Sequence, residues 1–321
     1  ADANPGSELA RTLPQFKRWY AQAGTPRVTA RGRYDAHSRT YTLGLEQSQT
    51  VHAQPGARPQ EPFVLPLAIG LIGRDDGRAL PLRLEDEPEA ETGAPAVTER
   101  VLVMDETRAF YTFVGVDQPP VLSLLRGFSA PVTLVDGLAD TDLLVLLRHD
   151  GDPFNRWEAG QRLALGRLVA SVHADGEPVP LDAEFIEAMR AILREPALDA
   201  AFKELVLTLP GESYIAEQLA SVDPQRIHVV RETMRRTLAE ALRGDWEQAF
   251  ESCQVKGAYS PDAEPAGRRG LAALVEDLLV QRQEARSTRD FARADEVRDR
   301  LTAATERATR LRERLAALGG D

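Results

Sequence analysis

Hydrophobic and polar residues alternate along residues 27–135, with the two-residue period of a β-strand. The clearest sets are Tyr41, Leu43, Leu45 and, further on, Leu65, Leu67, Ile69, Leu71. Asp75-Asp76-Gly77 is a hairpin turn signal, and a third alternating set follows it at Leu80, Leu82, Leu84. Shorter strands are predicted over residues 101–104, 110–114 and 132–135. About seven strands in about 110 residues is the count of an immunoglobulin-like β-sandwich, which we predict over residues 27–137.

From residue 138 the hydrophobic period becomes that of α-helices. Asp152-Pro153 and Asp223-Pro224 are predicted helix starts, because aspartate accepts N–H groups of the first turn and proline fits the first helical position. Asp182 and Thr141 are predicted to cap two further helices, and residues 13–20 to form a short helix before the sandwich. Apolar residues follow these starts at helical spacing: Leu143, Leu144, Leu147, Phe154, Trp157, Leu163, Leu165, Leu168, Phe185, Ile186, Met189, Leu193, Ile227, Val230, Met234, Leu238, Leu242. Stacked helices of this kind predict an α-solenoid-like domain.

A helical tail is predicted over residues 271–321, after a break at residues 259–270 that contains proline and glycine. Asp290 is expected to cap the second helix of this tail. Small and apolar residues recur along that helix at steps of three and four: Ala294, Val297, Leu301, Ala304, Ala308, Leu311, Leu315, Leu318. The spacing predicts a helical hairpin with a coiled-coil seam over residues 294–318, whose last turns pack on the solenoid, pair with a second chain or fray.

Large side chains on the predicted helices, such as Phe154, Trp157 and Trp246, are interpreted as core residues. The last predicted helices carry an apolar face formed by Leu238, Leu242, Trp246, Phe250. An open end of a solenoid leaves such a face without its next repeat. We therefore expect the tail to cover this face, which would otherwise be adhesive.

The chain is acidic, with 39 Lys and Arg against 50 Asp and Glu and a net charge of −11 at pH 7. Phosphate groups repel such a protein on average, which argues against nucleic acid or an anionic membrane as a partner. Within residues 271–321, ten arginines are matched by ten acidic residues. Balanced charge on a helix indicates an ion-paired, solvated surface rather than an RNA-binding one.

Two further features concern the cellular compartment. The longest apolar run, at residues 63–72, is far shorter than the roughly 20 residues of a membrane helix, and no signal peptide is visible. Cys253 is the only cysteine, which excludes an internal disulfide and favours a reducing compartment. We expect a soluble, cytoplasmic protein in which Cys253 is a structural thiol.

Three long segments resemble bacterial aminopeptidase N, in the order and with the spacing of that family. They are FKRWYAQAGTP at residues 16–26, LLRGFSAPV at 124–132 and DPFNRWEAGQ at 152–161. The resemblance covers residues 13–270 and implies the second half of such an enzyme. In that family a zinc-binding catalytic domain comes first, then an immunoglobulin-like sandwich, then a superhelical domain that limits access to the active site.

The chemistry of that family lies outside the part that the resemblance covers. It requires H-E-x-x-H on a helix, in which two histidines bind zinc and the glutamate acts as general base. None of the five histidines has a second one four residues away: His37, His52, His149, His173, His228. The family's G-x-M-E-N segment is missing too, since acidic or basic residues follow Met104, Met189 and Met234. No catalytic, cofactor-binding or metal-binding residue is therefore expected in this chain.

A second resemblance lies in the tail. The segment EARSTRDFARADEVRDRL at residues 284–301 is similar to the C-terminal tail of cysteinyl-tRNA synthetases, where a helical pair lies on the anticodon side. The nucleotide-binding motifs of those enzymes are absent here. The sequence thus indicates a composite of an aminopeptidase portion and a helical tail, and an RNA-binding adaptor is one alternative function.

One other constellation has metal-ligating residue types, at His149, Asp150 and Asp152. Three polar residues at a chain turn are common, and no fourth ligand is evident. We interpret them as the end of one helix followed by the cap of the next.

Taken together, we expect an accessory portion of a zinc aminopeptidase that packs on the catalytic domain, shapes peptide access and is inactive by itself. The alternatives are a stand-alone helical oligomerisation module and the RNA-binding adaptor. The predicted segments are a remnant of the last catalytic-domain helix with its linker (1–26), the sandwich (27–137), a truncated superhelix (138–270) and the hairpin tail (271–321).

Overall fold

A computed structural model of the chain describes residues 6–49, 61–88 and 95–287. The chain divides into two compact units, Ala1–Ala164 and Leu165–Asp321. Within the described ranges, every helix is too short or too polar to cross a membrane. The second helix of the predicted tail and its seam at residues 294–318 lie outside the described residues.

The first unit contains a β-sandwich, as the alternating pattern predicts. Its described strands are β1 (Pro26–Asp35), β2 (Thr40–Gln49), β3 (Leu65–Gly73), β4 (Arg83–Leu84), β5 (Glu99–Met104), β6 (Arg108–Val114), β7 (Pro120–Leu124) and β8 (Thr133–Val135). Five form one sheet in the order β4-β6-β2-β1-β8, and three form the other in the order β5-β3-β7. Neighbouring strands are antiparallel except β1 and β8, which run parallel.

The inner faces of the two sheets supply the core of this unit. Side chains such as Leu43, Leu67 and Phe113 are fully buried there. Gln47 is also buried, and its amide donates hydrogen bonds to the carbonyls of Phe63 (3.0 Å) and Glu106 (2.8 Å). A buried polar group is tolerated when its bonds are made in this way.

Two strand predictions differ from the structure. The alternating leucines after the hairpin turn form only the two-residue strand β4 and an isolated bridge between Ile72 and Ala79. Leu80 and Leu82 are nonetheless fully buried, because the segment packs on the core without a continuous ladder. Strand β7 was not predicted. Its residues are mostly buried, so the segment shows no polar alternation.

The predicted helix at residues 13–20 is wrong in its bounds. The structure has two short helices, α1 (Glu8–Phe16) and α2 (Arg18–Ala21). The hydroxyl oxygen of Ser7 accepts a hydrogen bond from the N–H of Ala10 (3.2 Å), which starts the first helix five residues earlier than expected.

The remainder of the described chain is helical, as predicted. The helices are α3 (Asp140–His149), α4 (Pro153–His173), α5 (Ala183–Arg194), α6 (Ala200–Leu207), α7 (Glu212–Ala216), α8 (Pro224–Ala241), α9 (Arg243–Ser252) and α10 (Ala263–Ser287). The cap predictions at Asp152, Asp182 and Asp223 are confirmed, because each carboxylate accepts a first-turn N–H at 2.9–3.0 Å. The Thr141 cap is wrong. Helix α3 starts after Ala139, whose N–H binds the Asp142 carboxylate (3.1 Å).

The predicted break at residues 259–270 is too long. Helix α10 begins at Ala263 and runs without interruption through residue 271. Pro265 does not stop it, since the N–H groups of a first helical turn have no intrahelical partner and proline loses nothing there. Leu271, Val275 and Leu278 on this helix are buried.

Helix α10 packs against α6, α8 and α9. The apolar face predicted on the last helices is therefore covered within the described residues. Leu238, Leu242 and Trp246 of that face are at most 4% exposed, and Phe250 is half-buried.

Candidate functional site

Two of the three distinctive sequence segments, residues 124–132 and 152–161, meet in the first unit. A one-turn 3-10 helix, Arg126–Phe128, lies beside the start of helix α4. Nη1 of Arg126 donates to Oδ1 of Asp150 (3.0 Å), and the N–H of Gly127 donates to Oδ2 of Asp152 (3.0 Å). Asp152 thus caps its own helix and holds the turn at the same time.

Asn155 completes the connection between the two segments. Its side-chain amide donates to the hydroxyl of Ser123 (2.8 Å) and to the carbonyl of Leu124 (3.0 Å), and all three groups are in a buried position. These bonds fix helix α4 to the end of strand β7. The motif residues therefore form a structural junction.

The backbone of the turn is unusual. Leu125 and Phe128 adopt positive φ angles of 63° and 53°, which residues other than glycine rarely adopt. Phe128 packs on Phe154, and Phe154 on Trp157, with ring centroids 5.4 Å and 5.9 Å apart. The aromatic contacts and the hydrogen bonds together hold the left-handed turn. Phe128 remains 56% exposed.

Asp150 is the most deeply buried charge of the junction. Burial raises the pKa of its carboxyl, although Ser123, the N–H of Asp152 and Arg126 oppose the shift. Its Oδ2 atom is buried and has no hydrogen-bond partner among the described residues. Arg126 is itself 10% exposed and also binds Glu99 (3.0 Å) at the surface. The guanidinium thus links the buried carboxylate to an exposed one.

The three candidate ligands at this turn do not form a metal site. The His149 ring packs against Gly77, while Asp150 and Asp152 bind Arg126 and backbone N–H groups. Burial lowers the pKa of His149, with smaller contributions from nearby arginines. Across residues 6–49, 61–88 and 95–287, no group of His, Cys, Asp or Glu side chains is placed to hold a metal ion. The residues present do not fit a zinc centre.

The N-terminal helices are anchored to the sandwich by one side. The Trp19 ring stacks on Phe63 with centroids 4.3 Å apart, and its Nε1 donates to the carbonyl of Val64 (3.2 Å). Arg18 donates to the carbonyl of Pro62 (2.7 Å). These contacts together fix both the position and the rotation of the N-terminal helices.

The other side of these helices has no partner among the described residues. Tyr20 is 86% exposed and Phe16, one helical turn earlier, is 38% exposed. Lys17, between the two helices, keeps right-handed helical backbone angles, so both rings lie on one side of the segment. We call this pair the N-terminal aromatic face. The sequence predicts a helix here, but it does not show which side of the helix is exposed, because that depends on the contacts that Trp19 makes with the sandwich.

Among the described residues of the second unit, a groove of 960 Å³ lies between helices α5, α6, α9 and α10. Cys253 lines it and is 6% exposed, in agreement with a structural thiol. Lys203 lines it as well, but its ammonium donates to the carbonyl of Leu193 (3.0 Å). Burial lowers the pKa of this lysine. No nucleophile and base are paired in the groove, which gives no basis for a reaction there.

Comparison with known proteins finds two kinds of relative. Over 35 residues, 11% of this chain, the sequence is 69% identical to the cysteine–tRNA ligase of Rhodospirillum rubrum, and the match covers 8% of that protein. This match supports the second resemblance over those 35 residues.

Longer matches relate the chain to aminopeptidases. The chain is 33% identical over 261 residues to aminopeptidase N of Escherichia coli and 37% identical over 262 residues to that of Caulobacter vibrioides. Each match covers 81% of this chain and 28% of the relative, so the chain spans less than a third of their length. A crystal structure of Legionella pneumophila aminopeptidase A in complex with aspartic acid has the same fold over 88% of this chain and 30% of its own, with a TM-score of 0.68 and 22% identity.

Two family models match nearly the whole chain. One, described as a domain of unknown function (DUF3458) with an Ig-like fold, covers residues 24–137. The other, described as a domain of unknown function (DUF3458_C) with ARM repeats, covers residues 140–319, well past residue 270. Both the sandwich and the helical-repeat predictions are confirmed by these matches. The chain belongs to the DUF3458 family, the immunoglobulin-like and ARM-repeat portion of aminopeptidase N.

Proposed function

We propose that this chain packs on the catalytic domain of a zinc aminopeptidase and shapes the access of peptides to its active site. The proposal is supported by the relationship to aminopeptidase N, of which the chain corresponds to a minor, non-catalytic part. The zinc chemistry belongs to the other part, because no H-E-x-x-H is present in this sequence. The single cysteine favours a cytoplasmic location.

The observation that carries the proposal is the two-sided N-terminal segment. One side is fixed to the sandwich through Trp19 and Arg18, and the other presents Phe16 and Tyr20 to solvent. Aromatic residues that are rigidly held and exposed are the usual anchors of a protein–protein interface. The sequence similarity of residues 13–20 to the last helix of the catalytic domain points to that domain as the partner.

A binding experiment tests this assignment. The chain is mixed with the separately produced catalytic portion of Caulobacter vibrioides aminopeptidase N, and complex formation is measured by calorimetry. We expect a defined complex, and we expect the Phe16→Ala/Tyr20→Ala variant to bind at least tenfold more weakly, since interface aromatics contribute about 2 kcal/mol each. Tyr214→Ala, which removes a 48% exposed aromatic from helix α7 of the second unit, is the matched control and should bind normally.

Two activity measurements complete the test. The chain alone should contain no stoichiometric zinc and should not hydrolyse a fluorogenic alanyl-amide. Added to the catalytic portion, it should slow the cleavage of long peptides more than that of the small amide, because only long substrates are limited by access. Zinc-dependent turnover by the isolated chain, or an unchanged ratio of the two rates in a saturated complex, would contradict the proposal.

A further inference from the structure

The five-stranded sheet has an outer face that carries exposed cationic side chains. Along β1, Val28 and Ala30 point into the core, so Arg27, Arg31 and Arg33 point away from it, and all three are exposed. On the same side lie Glu46 of β2, together with Arg108 and Phe110 of β6, as the strand register shows. We call these six residues the outer sheet face.

Most of this charge is not neutralised. Nη2 of Arg108 contacts the Glu46 carboxylate at 2.9 Å, which accounts for one of the four arginines. Arg27, Arg31 and Arg33 form no ion pair with any described carboxylate; Asp35, at the end of β1, lies near Arg33. The outer sheet face is therefore locally cationic in a chain whose net charge is −11. A concentration of one sign against the overall balance favours a charged partner.

Phe110 adds a flat apolar surface to these charges. Its ring lies over Gly44, where a Cβ atom would be 3.1 Å from Cε1 of the ring. Gly44 is paired with both Arg31 and Phe110 in the sheet, so the Phe110 ring and the Arg31 side chain lie in one row across the strands. The contact with Gly44 explains how the ring is held, yet Phe110 remains 74% exposed. An exposed aromatic beside arginines is the composition of an interface centre.

We propose that the outer sheet face binds an extended, acidic polypeptide segment. Arg31 and Arg33 are two residues apart on one strand, which separates their side chains by roughly 6.8 Å. Alternate carboxylates of an extended acidic peptide have the same spacing, so two guanidinium groups and two carboxylates are matched in register. Phe110, in the same row as Arg31, provides an apolar contact for the methylene groups of an acidic side chain on that face.

A single-stranded nucleic acid fits this face less well. Such ligands are held by several stacked aromatic side chains along the strand. Among the described residues of β1, β2, β6 and β8, Phe110 alone is an aromatic on the outer side. The phosphate backbone of a nucleic acid longer than the patch would also extend over the acidic remainder of the protein, which would repel it. A short peptide stays within the patch, and salt screens the more distant charges beyond about 8 Å.

The test uses the full chain and a labelled peptide of alternating glutamate and threonine, with fluorescence anisotropy as the readout. The matched glutamine–threonine peptide controls for charge. We expect saturable binding of the glutamate peptide that weakens with salt, and a loss of roughly tenfold in affinity for Arg31→Ala/Arg33→Ala. Arg148→Ala/Arg236→Ala removes the same charge from exposed positions elsewhere and should change affinity less than about twofold.

Other outcomes overturn the proposal. Equal binding of both peptides, equal loss in the two double variants, or no binding at concentrations on the order of 100 μM would each show that the face has no acidic peptide ligand. Tighter binding of a single-stranded oligothymidine than of the glutamate peptide would assign the face to nucleic acid instead. The measurement needs no catalytic domain, so its result is independent of the function proposed above.

Discussion

At the scale of single residues, two arginines in the first unit show how a buried charge is compensated. Arg126 spans a buried and an exposed carboxylate. Arg162 forms a two-pronged pair with Asp136, in which both nitrogen–oxygen distances are 2.8 Å. Planar paired contacts of this kind are the strongest hydrogen bonds that a guanidinium makes. The two residues of each pair, Arg126–Asp150 and Arg162–Asp136, are 24 and 26 positions apart in sequence. The pairs therefore anchor helix α4 rather than a local turn.

The pair of Arg162 and Asp136 has a testable pH dependence. Burial alone would raise the pKa of Asp136, but the hydrogen bonds and charge of Arg162 outweigh burial and lower it. A carboxyl with a lowered folded-state pKa stabilises the fold above its unfolded pKa of about 3.9, and loses this effect as pH falls through the folded value. Asp136→Asn should therefore reduce the free energy of unfolding by about 2 kcal/mol at pH 7.

Urea denaturation at neutral and at acidic pH checks this, because the difference between the two proteins should shrink once the carboxyl is protonated. The exposed pair of Arg78 and Asp117 provides the control. Asp117→Asn should cost less than about 1 kcal/mol, as surface pairs usually do. A difference for Asp136→Asn that stays constant down to about pH 3 would contradict the assignment.

Sequence patterns predicted the residues that act locally and missed those that act at a distance. The caps at Asp152, Asp182 and Asp223 are confirmed because each carboxylate binds an N–H only three residues away. The Asp150 contact with Arg126 was not predictable, since no local rule selects its partner. The interpretation of His149, Asp150 and Asp152 as helix end and cap agrees with their bonds.

At the scale of elements, glycine determines how closely two helices of the second unit approach. A Cβ atom on Gly267 of α10 would lie 2.9 Å from the backbone nitrogen of Ala201 on α6. Real Cβ atoms do not tolerate that distance, so a side chain here would push the helices apart. A few residues along the same helix, a Cβ on Gly270 would meet only the Glu204 side chain at 3.7 Å, an ordinary contact.

These two glycines give a matched pair of substitutions. In an unobstructed helix, alanine in place of glycine stabilises by up to about 1 kcal/mol. Gly270→Ala should therefore leave the melting temperature unchanged or raise it, whereas Gly267→Ala should lower it, by roughly 1–2 kcal/mol in unfolding free energy. Thermal denaturation followed by circular dichroism compares them. If both substitutions shift the midpoint equally, the close contact with α6 does not limit packing.

The elements that the sequence predicted well are those with a single clear period. Strand β2 alternates along its whole length and lies where expected. Strand β4 fails because Leu80 and Leu82 are buried by packing, and burial without a ladder produces the same alternation. The predicted break before residue 271 is wrong in its bounds, because Pro265 lies in the first turn of α10 and Gly267 lies at a helix contact, where neither residue interrupts a helix.

At the scale of the whole molecule, the chain is divided differently from the way the periodicity suggests. The two compact units separate within helix α4, between Ala164 and Leu165, whereas the hydrophobic period changes near residue 138. A change of period marks where strands give way to helices. Compactness depends instead on which contacts those helices make, and α3 contacts strands β3 and β7. The domain limits at 137 and 270 stay predictions.

Truncation of the chain distinguishes the two parts of the predicted tail. A chain that ends at Gly270 loses Leu271, Val275 and Leu278, whose burial covers the ends of α8 and α9. It should bind a hydrophobic dye strongly and tend to aggregate. A chain that ends at Ser287 keeps these residues and should bind no more dye than the full chain. Equal dye binding by both truncated chains would show that α10 is not needed to cover the face.

The choice of end point also decides how self-association is measured. Light scattering on the chain that ends at Ser287 removes the predicted seam at residues 294–318 and leaves helix α10 complete. A full chain that is dimeric beside a shortened chain that is monomeric would support the seam as the contact between subunits.

The buried position of Cys253 allows the opening of the second unit to be measured by the rate of thiol labelling. It is the only thiol in the sequence and is 6% exposed, beside the hydroxyl of Ser252 at the end of α9. Since only 6% of this residue is exposed in the groove that it lines, separation of the surrounding helices should speed its modification by a thiol reagent, and the labelling rate should rise with the population of opened molecules. No engineered probe is required. A partner that stabilises these helices would slow the labelling, which makes one natural sulfur atom a direct assay for any ligand of the helical repeat.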